Sequence, residues 1–499
     1  MPRPPVRLFH SRRPGATAAL PLAVTTALTT VLVPLAATAA AAEEPSAAAG
    51  GRLDWGDCPE GDYGAGMECA ELRVPVDHAD PRGRHITLTL GRLPHTEEGR
   101  AEGSVLVNPG GPMGFGIEYL GTLGAPFAGL REHMDVVTWD LRGDPGGFGG
   151  FSTPIDCEWD YVRSPALPAD QAAFDDLAAA NRETADACRA ADPELFDHMG
   201  SADHARDLEA VRRALGERRL NLHMTSYGGT IGQTYARLFP ERVRTLYLDG
   251  VADHTEAGDA VYEGFAADGD EAFGRFTDWC AEDASCALHG RDVPALWREL
   301  IDAADSEPIP APVADVDYTG RDIQHAAVGV LFRSTPGPEW AGVAQAIADG
   351  LEGDASGFVT DPERPFAGFP MPGVVECLDW EYPADHAEAA ATAERIEEAA
   401  PLTGGRLQMY GNILSCAGWP TPVSNPPGPL PAEVPPMLGA GSWSDGGSTA
   451  RAVDAVEGGV TIRRDGPGHG LYWMGDACVI AHADHYLRTT ELPPADTIC

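Results

Sequence analysis

"NLHMTSYGGTIG", residues 221–232, is an apolar run that breaks at a turn and passes into a helical pattern. The first residues read as a buried strand and the last as the opening of a helix. A junction of this kind lifts the residue at its apex, Ser226, above the carboxyl end of a sheet. A hydroxyl held there can act as a nucleophile. Gly228 and Gly229 leave room for the helix to start against the turn. Met224 stands two residues before the serine, where the pattern has glycine. A thioether at that point could crowd a neighbouring strand or helix and tilt Ser226 out of line.

The same rhythm extends on both sides of the turn. "RHITLTLGRL" alternates Ile86, Leu88 and Leu90, as a strand with one polar face does. "GSVLVNPGGP" and "MDVVTWDLRG" are short apolar runs closed by turn chemistry. "SADHARDLEAVRRALGERR" sets Leu208, Val211 and Leu215 at helical spacing, with Gly216 as its stop. "RTLYLDG" follows as another strand. Strand alternating with helix predicts an α/β chain, a mostly parallel sheet covered by helices on both faces. The rhythm lapses from 251 to 431, where acidic helical stretches alternate with Pro/Gly-rich connections. That span reads as a helical lid inserted between two strands, leaving 43–250 and 432–499 as the two parts of one core. "MLGAG" and "GVTIRR" supply the last strands.

Residues 1–42 read as an address. Arg3, Arg7, Arg12 and Arg13 precede an apolar Ala/Leu/Val run and a small-residue exit, as in a cleaved signal peptide of the general secretory route. No later stretch is apolar for long enough to span a bilayer. The expected product is secreted and extracellular, with no membrane association after cleavage. Ten cysteines in an exported chain read as disulfides, and their spacing fits neighbour-with-neighbour pairing. No CxxC pair or HExxH occurs, so no metal is expected. The formal charge of −41 disfavours nucleic acid as a partner. All 35 basic residues are arginine, which removes Schiff-base lysines, Ser-Lys dyads and the phosphate-loop lysine from the possible mechanisms.

A serine nucleophile needs a histidine to take its proton, an acid to orient the histidine, and amides to hold the oxyanion. Downstream of Ser226 the candidates arrive in the order Asp445, in "GSWSDGGST", and His469, in "GPGHGLY". Each follows an expected strand. Asp249, at the end of "LYLDG", is the competing acid. "NPGGPMGFG" follows the first central strand and is poor in side chains, as an oxyanion loop must be. Gly110, Gly111 or Met113 would supply one amide there, since Pro112 has none, and Tyr227 the other. His223, inside the nucleophile strand, reads as a hydrogen-bonded interior residue rather than a base.

Taken in order, "NPGGPMG", "DVVTWDLRG…STPIDC", "ADHARDLEAVRRALG", "SYGG", "LYLDGV", "ECLDW", "CAGWP" and "GHGLYWMGDACV" resemble the secreted tripeptidyl aminopeptidases. These are α/β-hydrolases related to the proline iminopeptidases, and the likeness runs from about Trp55 to Cys499. It implies a serine exopeptidase acting on peptides with a free N-terminus, without a cofactor, beneath a lid. Ser226, Asp445 and His469 fall on the nucleophile, acid and base. Asp379 falls on the acid expected to read the substrate ammonium, with Glu376 beside it, and Cys377 could tie their segment to Cys416. Asp140 and Arg142 fall on a structural pair. Trp380 and Trp419 could wall a subsite or simply fill the core. The chain departs from the family at Met224, at Met113 and at the Gly446-Gly447 that follows the acid. The alternatives are an esterase on the same fold or a scaffold that binds without turnover.

Overall fold

The computed structural model describes residues 53–59, 63, 66–112, 114–145, 149–157, 161–163, 165–256, 258–363, 365–366, 368–370, 373–405 and 413–499. The expected signal segment and Met113 lie outside the described residues. Among those described, eight strands form one sheet. From edge to edge they are Glu68–Pro75, His85–Leu93, Asp135–Trp139, Ser104–Asn108, Leu220–Thr225, Val243–Asp249, Leu438–Gly441 and Val460–Arg463. His85–Leu93 runs antiparallel to both its neighbours, and all later pairings are parallel.

Period-two alternation builds two hydrophobic layers from one set of strands. Leu106, Leu222, Met224, Leu246 and Leu248 face one way and pack on Leu208, Val211, Ile231 and Tyr235 of the helices Ser201–Leu215 and Gly228–Leu238. Val105, Val107, Val136, Tyr247, Leu438 and Ala440 face the other way, toward Leu120, Val479, Ala483 and Tyr486 of Gly116–Leu123 and Ala477–Thr489. Each fully buried aliphatic or aromatic side chain contributes roughly 1.5–3 kcal/mol. The helix Ser201–Leu215 stops at Gly216, whose φ of +75° lets the amide bond back to Arg212 and Arg213.

Between Val243–Asp249 and Leu438–Gly441 the chain leaves the sheet. The helices Gly258–Glu282, Val293–Ser306, Gly320–Leu331 and Pro338–Leu351 close around a core of their own that includes Phe273, Phe276, Trp297, Ile323, Trp340 and Ile347. The five disulfides join Cys58–Cys69, Cys157–Cys188, Cys280–Cys286, Cys377–Cys416 and Cys478–Cys499, each cysteine with its neighbour in sequence. No helix among the described residues is long and apolar enough to cross a membrane.

The return strand Leu438–Gly441 lacks the β-branched residues a central strand favours, and packing explains why. A Cβ on Gly441 would lie 2.5 Å from the Cα of Gly446, and one on Gly439 would lie 2.7 Å from Val453. The helix Gly446–Asp454 sits so close that the strand must carry glycine at both positions. Of the Gly-Gly after Asp445, Gly446 backs onto Gly441, and a Cβ on Gly447 would lie 2.6 Å from Asp268 Oδ1.

Candidate active site

Ser226 has a φ of +53°, a left-handed conformation that a serine adopts only under restraint. The restraint comes from both flanks. The Ser226 amide donates to the Asp249 carbonyl at 3.0 Å, and the Ser226 carbonyl accepts from Gly229 at 2.9 Å. A Cβ on Gly228 would meet Asn108 Oδ1 at 2.7 Å, and one on Gly229 would meet Val251 at 2.4 Å. The sharp turn is thus held by the strand, by the helix and by two glycines that nothing larger could replace.

Met224 is wholly buried and does not disturb this turn. It points toward the nucleophile helix, where a Cβ on Gly232 would lie 2.8 Å from its Cγ. The glycine that the pattern places on the strand is placed instead on the helix, so the methionine fills a space that Gly232 opens. Met224→Gly should accordingly destabilise the fold by about 3–5 kcal/mol, through the cavity and a strand glycine. Chemical denaturation reads that loss. A fluorophosphonate probe should label Ser226 in the variant no faster than in wild type; faster labelling would mean that Met224 holds the hydroxyl out of line.

The acid and base meet at the same sheet edge. His469 Nδ1 and Asp445 Oδ2 lie 2.8 Å apart. Asp445 is buried at the start of the helix Gly446–Asp454, and its Oδ1 accepts from the Ser442 amide at 2.7 Å. His469 sits between Gly468, with φ of +144°, and Gly470, with φ of +70°. A Cβ on Gly470 would lie 3.0 Å from Thr225, and one on Gly250 would lie 2.6 Å from Asp445 Oδ2 and 2.9 Å from His469 Nδ1. The histidine loop therefore rests against the residue before the nucleophile, and the acid–base pair rests against the end of Val243–Asp249. Ser226 Oγ and His469 Nε2 form no hydrogen bond here, and neither is engaged elsewhere among the described residues. Such bonds commonly tighten only once substrate is bound. Desolvation lowers the pKa of His469, but the hydrogen bond and charge of Asp445 outweigh it and the net shift is upward. The side chain is 49% exposed, so its desolvation is incomplete.

Asp249, the competing acid, is committed elsewhere. Its Oδ1 accepts from the Leu471 amide at 2.9 Å, and its Oδ2 accepts from the Tyr472 amide at 2.8 Å and the Tyr247 hydroxyl at 3.0 Å. It holds the loop that carries His469 without touching the imidazole through a hydrogen bond. Burial raises its pKa to about 6 against the pull of those bonds.

The oxyanion loop needs one correction. The Gly110 amide donates to Asn108 Oδ1 at 2.9 Å, so it is not free to bind a substrate oxygen. Gly110 serves by being small: its Cβ would lie 2.5 Å from that of Ser226 and 3.1 Å from the Tyr227 nitrogen. Gly111, at φ of +121° and followed by a cis bond to Pro112, keeps its amide unbonded among the described residues. Tyr227, at the start of its helix, does too, as the first amides of a helix have no intrahelical acceptor. Among the described residues, Gly111 and Tyr227 are the two amides this edge offers.

Asp379 also departs from expectation. It is fully buried, and its carboxylate accepts from the Ser201 amide (2.8 Å), Ser201 Oγ (2.5 Å), Asn425 Nδ2 (3.0 Å) and the Tyr227 hydroxyl (2.6 Å). With every lone-pair direction occupied, it has no room for a substrate ammonium. It ties the helical insertion to Tyr227, and the Cys377–Cys416 disulfide anchors the same segment. Glu376 differs. It is half-buried, its carboxylate bonds to no other residue among those described, and its charge, like that of Asp379, acts on the Tyr227 phenol. Burial, with the charge of Asp379, raises its pKa to about 7. Of the two expected ammonium readers, Glu376 alone is available.

Two other expectations change, at Arg142 and at His223. Arg142 does not pair with Asp140. It forms a buried bidentate pair with Asp207, at 2.8 and 2.6 Å, while Asp140 accepts from the Ile117 and Phe151 amides. His223 is interior, but neither ring nitrogen has a partner. It packs among Phe127, Tyr247, Tyr472 and Trp473, and burial lowers its pKa to about 3. Trp380 packs edge-on against His254 and Trp419 stacks on Phe196, both as packing residues. The sequence reading had no signal for Ser201 or Asn425, whose roles exist only through contacts from distant segments.

A family model described as the alpha/beta hydrolase fold matches residues 103–298, and one described as TAP-like protein matches residues 400–499. A tripeptidyl aminopeptidase of Streptomyces lividans is 28% identical over 91% of this chain and 87% of its own length. The serine protease Hip1 of Mycobacterium bovis is 29% identical over 90% of this chain and 91% of its own. A protein named carboxylesterase B from Mycobacterium tuberculosis is 29% identical over 86% of each.

Proposed function

We propose that this chain, a serine hydrolase of the α/β-hydrolase fold with tripeptidyl aminopeptidase relatives, is a secreted exopeptidase releasing short peptides or single residues from free N-termini. The observation that carries the reading is the Asp445–His469 pair, 2.8 Å apart at the sheet edge where the strained Ser226 stands. Ser226 Oγ attacks the scissile carbonyl while His469 Nε2 takes its proton and Asp445 stabilises the imidazolium. The amides of Gly111 and Tyr227 hold the developing oxyanion. His469 then protonates the leaving amine, and water, activated by the same imidazole, releases the acyl fragment. No cofactor enters these steps. The helical insertion, 251–431, acts as the lid. Five disulfides and the basic-apolar N-terminal segment support an extracellular setting.

Glu376 makes the reading an exopeptidase rather than a general amidase. An unpaired carboxylate in a low-dielectric recess gains most from a substrate ammonium. Matched peptides with free and acetylated N-termini test this. The free amine should be cleaved about 30-fold faster or more in kcat/KM, and Glu376→Gln should collapse that ratio. Equal rates on the two substrates, with faster turnover of simple esters, would instead favour the esterase reading that the carboxylesterase relative suggests.

A further inference from the structure

Arg333 is a cation at the catalytic edge that no step above uses. The helix Gly320–Leu331 ends at Phe332, whose carbonyl accepts from the Gly468 amide at 3.3 Å and from Ser444 Oγ at 3.1 Å. One carbonyl thus braces the residue before the base and the residue before the acid. The next residue is Arg333, placed by that brace beside the histidine loop. Its backbone is fixed further by an amide bond to Val330 O at 3.1 Å. Its side chain is exposed and makes no ion pair or hydrogen bond among the described residues, although the chain carries 76 acids against 35 arginines. Its charge is felt at the imidazole, where it opposes protonation.

The direction of the chemistry says what such a cation would meet. His469 hands its proton to the leaving amine, so the part of the substrate beyond the scissile bond passes the imidazole. Glu376 acts on the phenol of Tyr227, the residue that follows the nucleophile. Resting on the exopeptidase reading, we infer that Arg333 binds the C-terminal carboxylate of the leaving fragment, so that short peptides with both ends free are the preferred substrates. An extended residue spans about 3.3–3.6 Å, so a leaving fragment of one or two residues keeps its carboxylate near the scissile bond. A longer one carries it past. Guanidinium suits the task because its fork pairs with a carboxylate through two parallel bonds.

The test compares tri- to hexapeptides as free acids and as C-terminal amides on the full disulfide-bonded chain. Wild type should favour the shortest free acids by roughly five- to tenfold in kcat/KM, mostly through KM, and the preference should fade as the leaving fragment lengthens. Arg333→Gln should bring the acid-to-amide ratio to about one, Arg333→Lys should restore part of it, and Arg333→Glu should invert it. A wild-type ratio of one, or a ratio unchanged in Arg333→Gln, overturns the inference. N-acetylated versions of the same peptides form a separate arm: their equal cleavage would sink the exopeptidase reading while the acid-to-amide ratio still reports on Arg333. Should no peptide be cleaved, the same acids and amides are tested as inhibitors of chromogenic ester hydrolysis, and equal inhibition by both also overturns it.

Discussion

Ser226→Ala should lower kcat by about a million-fold, and His469→Ala by a similar factor. The double variant should be no worse than either single one. The hydroxyl is a weak nucleophile until the imidazole takes its proton, so removing either group removes the same interaction. What survives is substrate binding and the amides of Gly111 and Tyr227, which typically leave about 10³–10⁴-fold over the uncatalysed rate. Thermal unfolding separates this effect from damage to the fold. Alanine differs from serine at residue 226 by one oxygen, and that oxygen makes no hydrogen bond among the described residues, so stability should hardly move. Retention of more than about one part in a thousand of wild-type activity in Ser226→Ala would place the nucleophile elsewhere.

The elbow itself was legible because its causes are local. A buried run, a serine and two glycines follow one another within nine residues, and each glycine answers a contact just outside the turn: Gly228 with Asn108 and Gly229 with Val251. The meaning of Met224 was not legible. Its partner is Gly232, eight residues on and across the strand–helix crossing, so a pattern centred on the serine registers a misplaced residue instead of an exchanged one. The Gly110 error was avoidable. An asparagine two residues ahead of a glycine often bonds that glycine's amide, as Asn108 does at 2.9 Å, and the motif "NPGG" carries that signal. Asp379 could not have been read. Its burial depends on Ser201, Asn425 and Tyr227, which come from three separate segments. In an insertion rich in acids, spacing does not separate the carboxylate that holds the fold from the one left without a side-chain partner among the described residues. The disulfides were readable for the opposite reason, since each closes a loop of at most 39 residues within one stretch of the fold.

Asp445→Asn and Asp249→Asn should differ by orders of magnitude, because the two carboxylates reach the same loop by different atoms. Asp249 ends one strand and Asp445 follows the end of the adjacent parallel one, where Ala440 lies opposite Asp249, although nearly 200 residues separate the two carboxylates. Sequence alone leaves both as candidates. Asp445 touches the imidazole, and its replacement by asparagine should lower kcat by about 10⁴-fold by favouring the wrong tautomer. The pH profile should move with it. Catalysis needs neutral His469, so kcat/KM rises with pH through the histidine's pKa. Asp445 raises that pKa, and its loss should shift the acid limb to lower pH while the plateau collapses. Among the described residues the Asp249 carboxylate accepts only from the Leu471 and Tyr472 amides and the Tyr247 hydroxyl. An asparagine there can turn only one oxygen toward two N–H donors, so one amide is left facing another. The cost is stability, about 1–3 kcal/mol, with a secondary loss in kcat of about one order as the loop loosens. Its more distant charge adds a smaller shift of the acid limb in the same direction. If Asp249→Asn proved the more damaging to kcat, and Asp445→Asn kept a tenth of wild-type activity, the acid would belong to the strand that follows the nucleophile helix, and the 2.8 Å contact at His469 would be packing rather than chemistry.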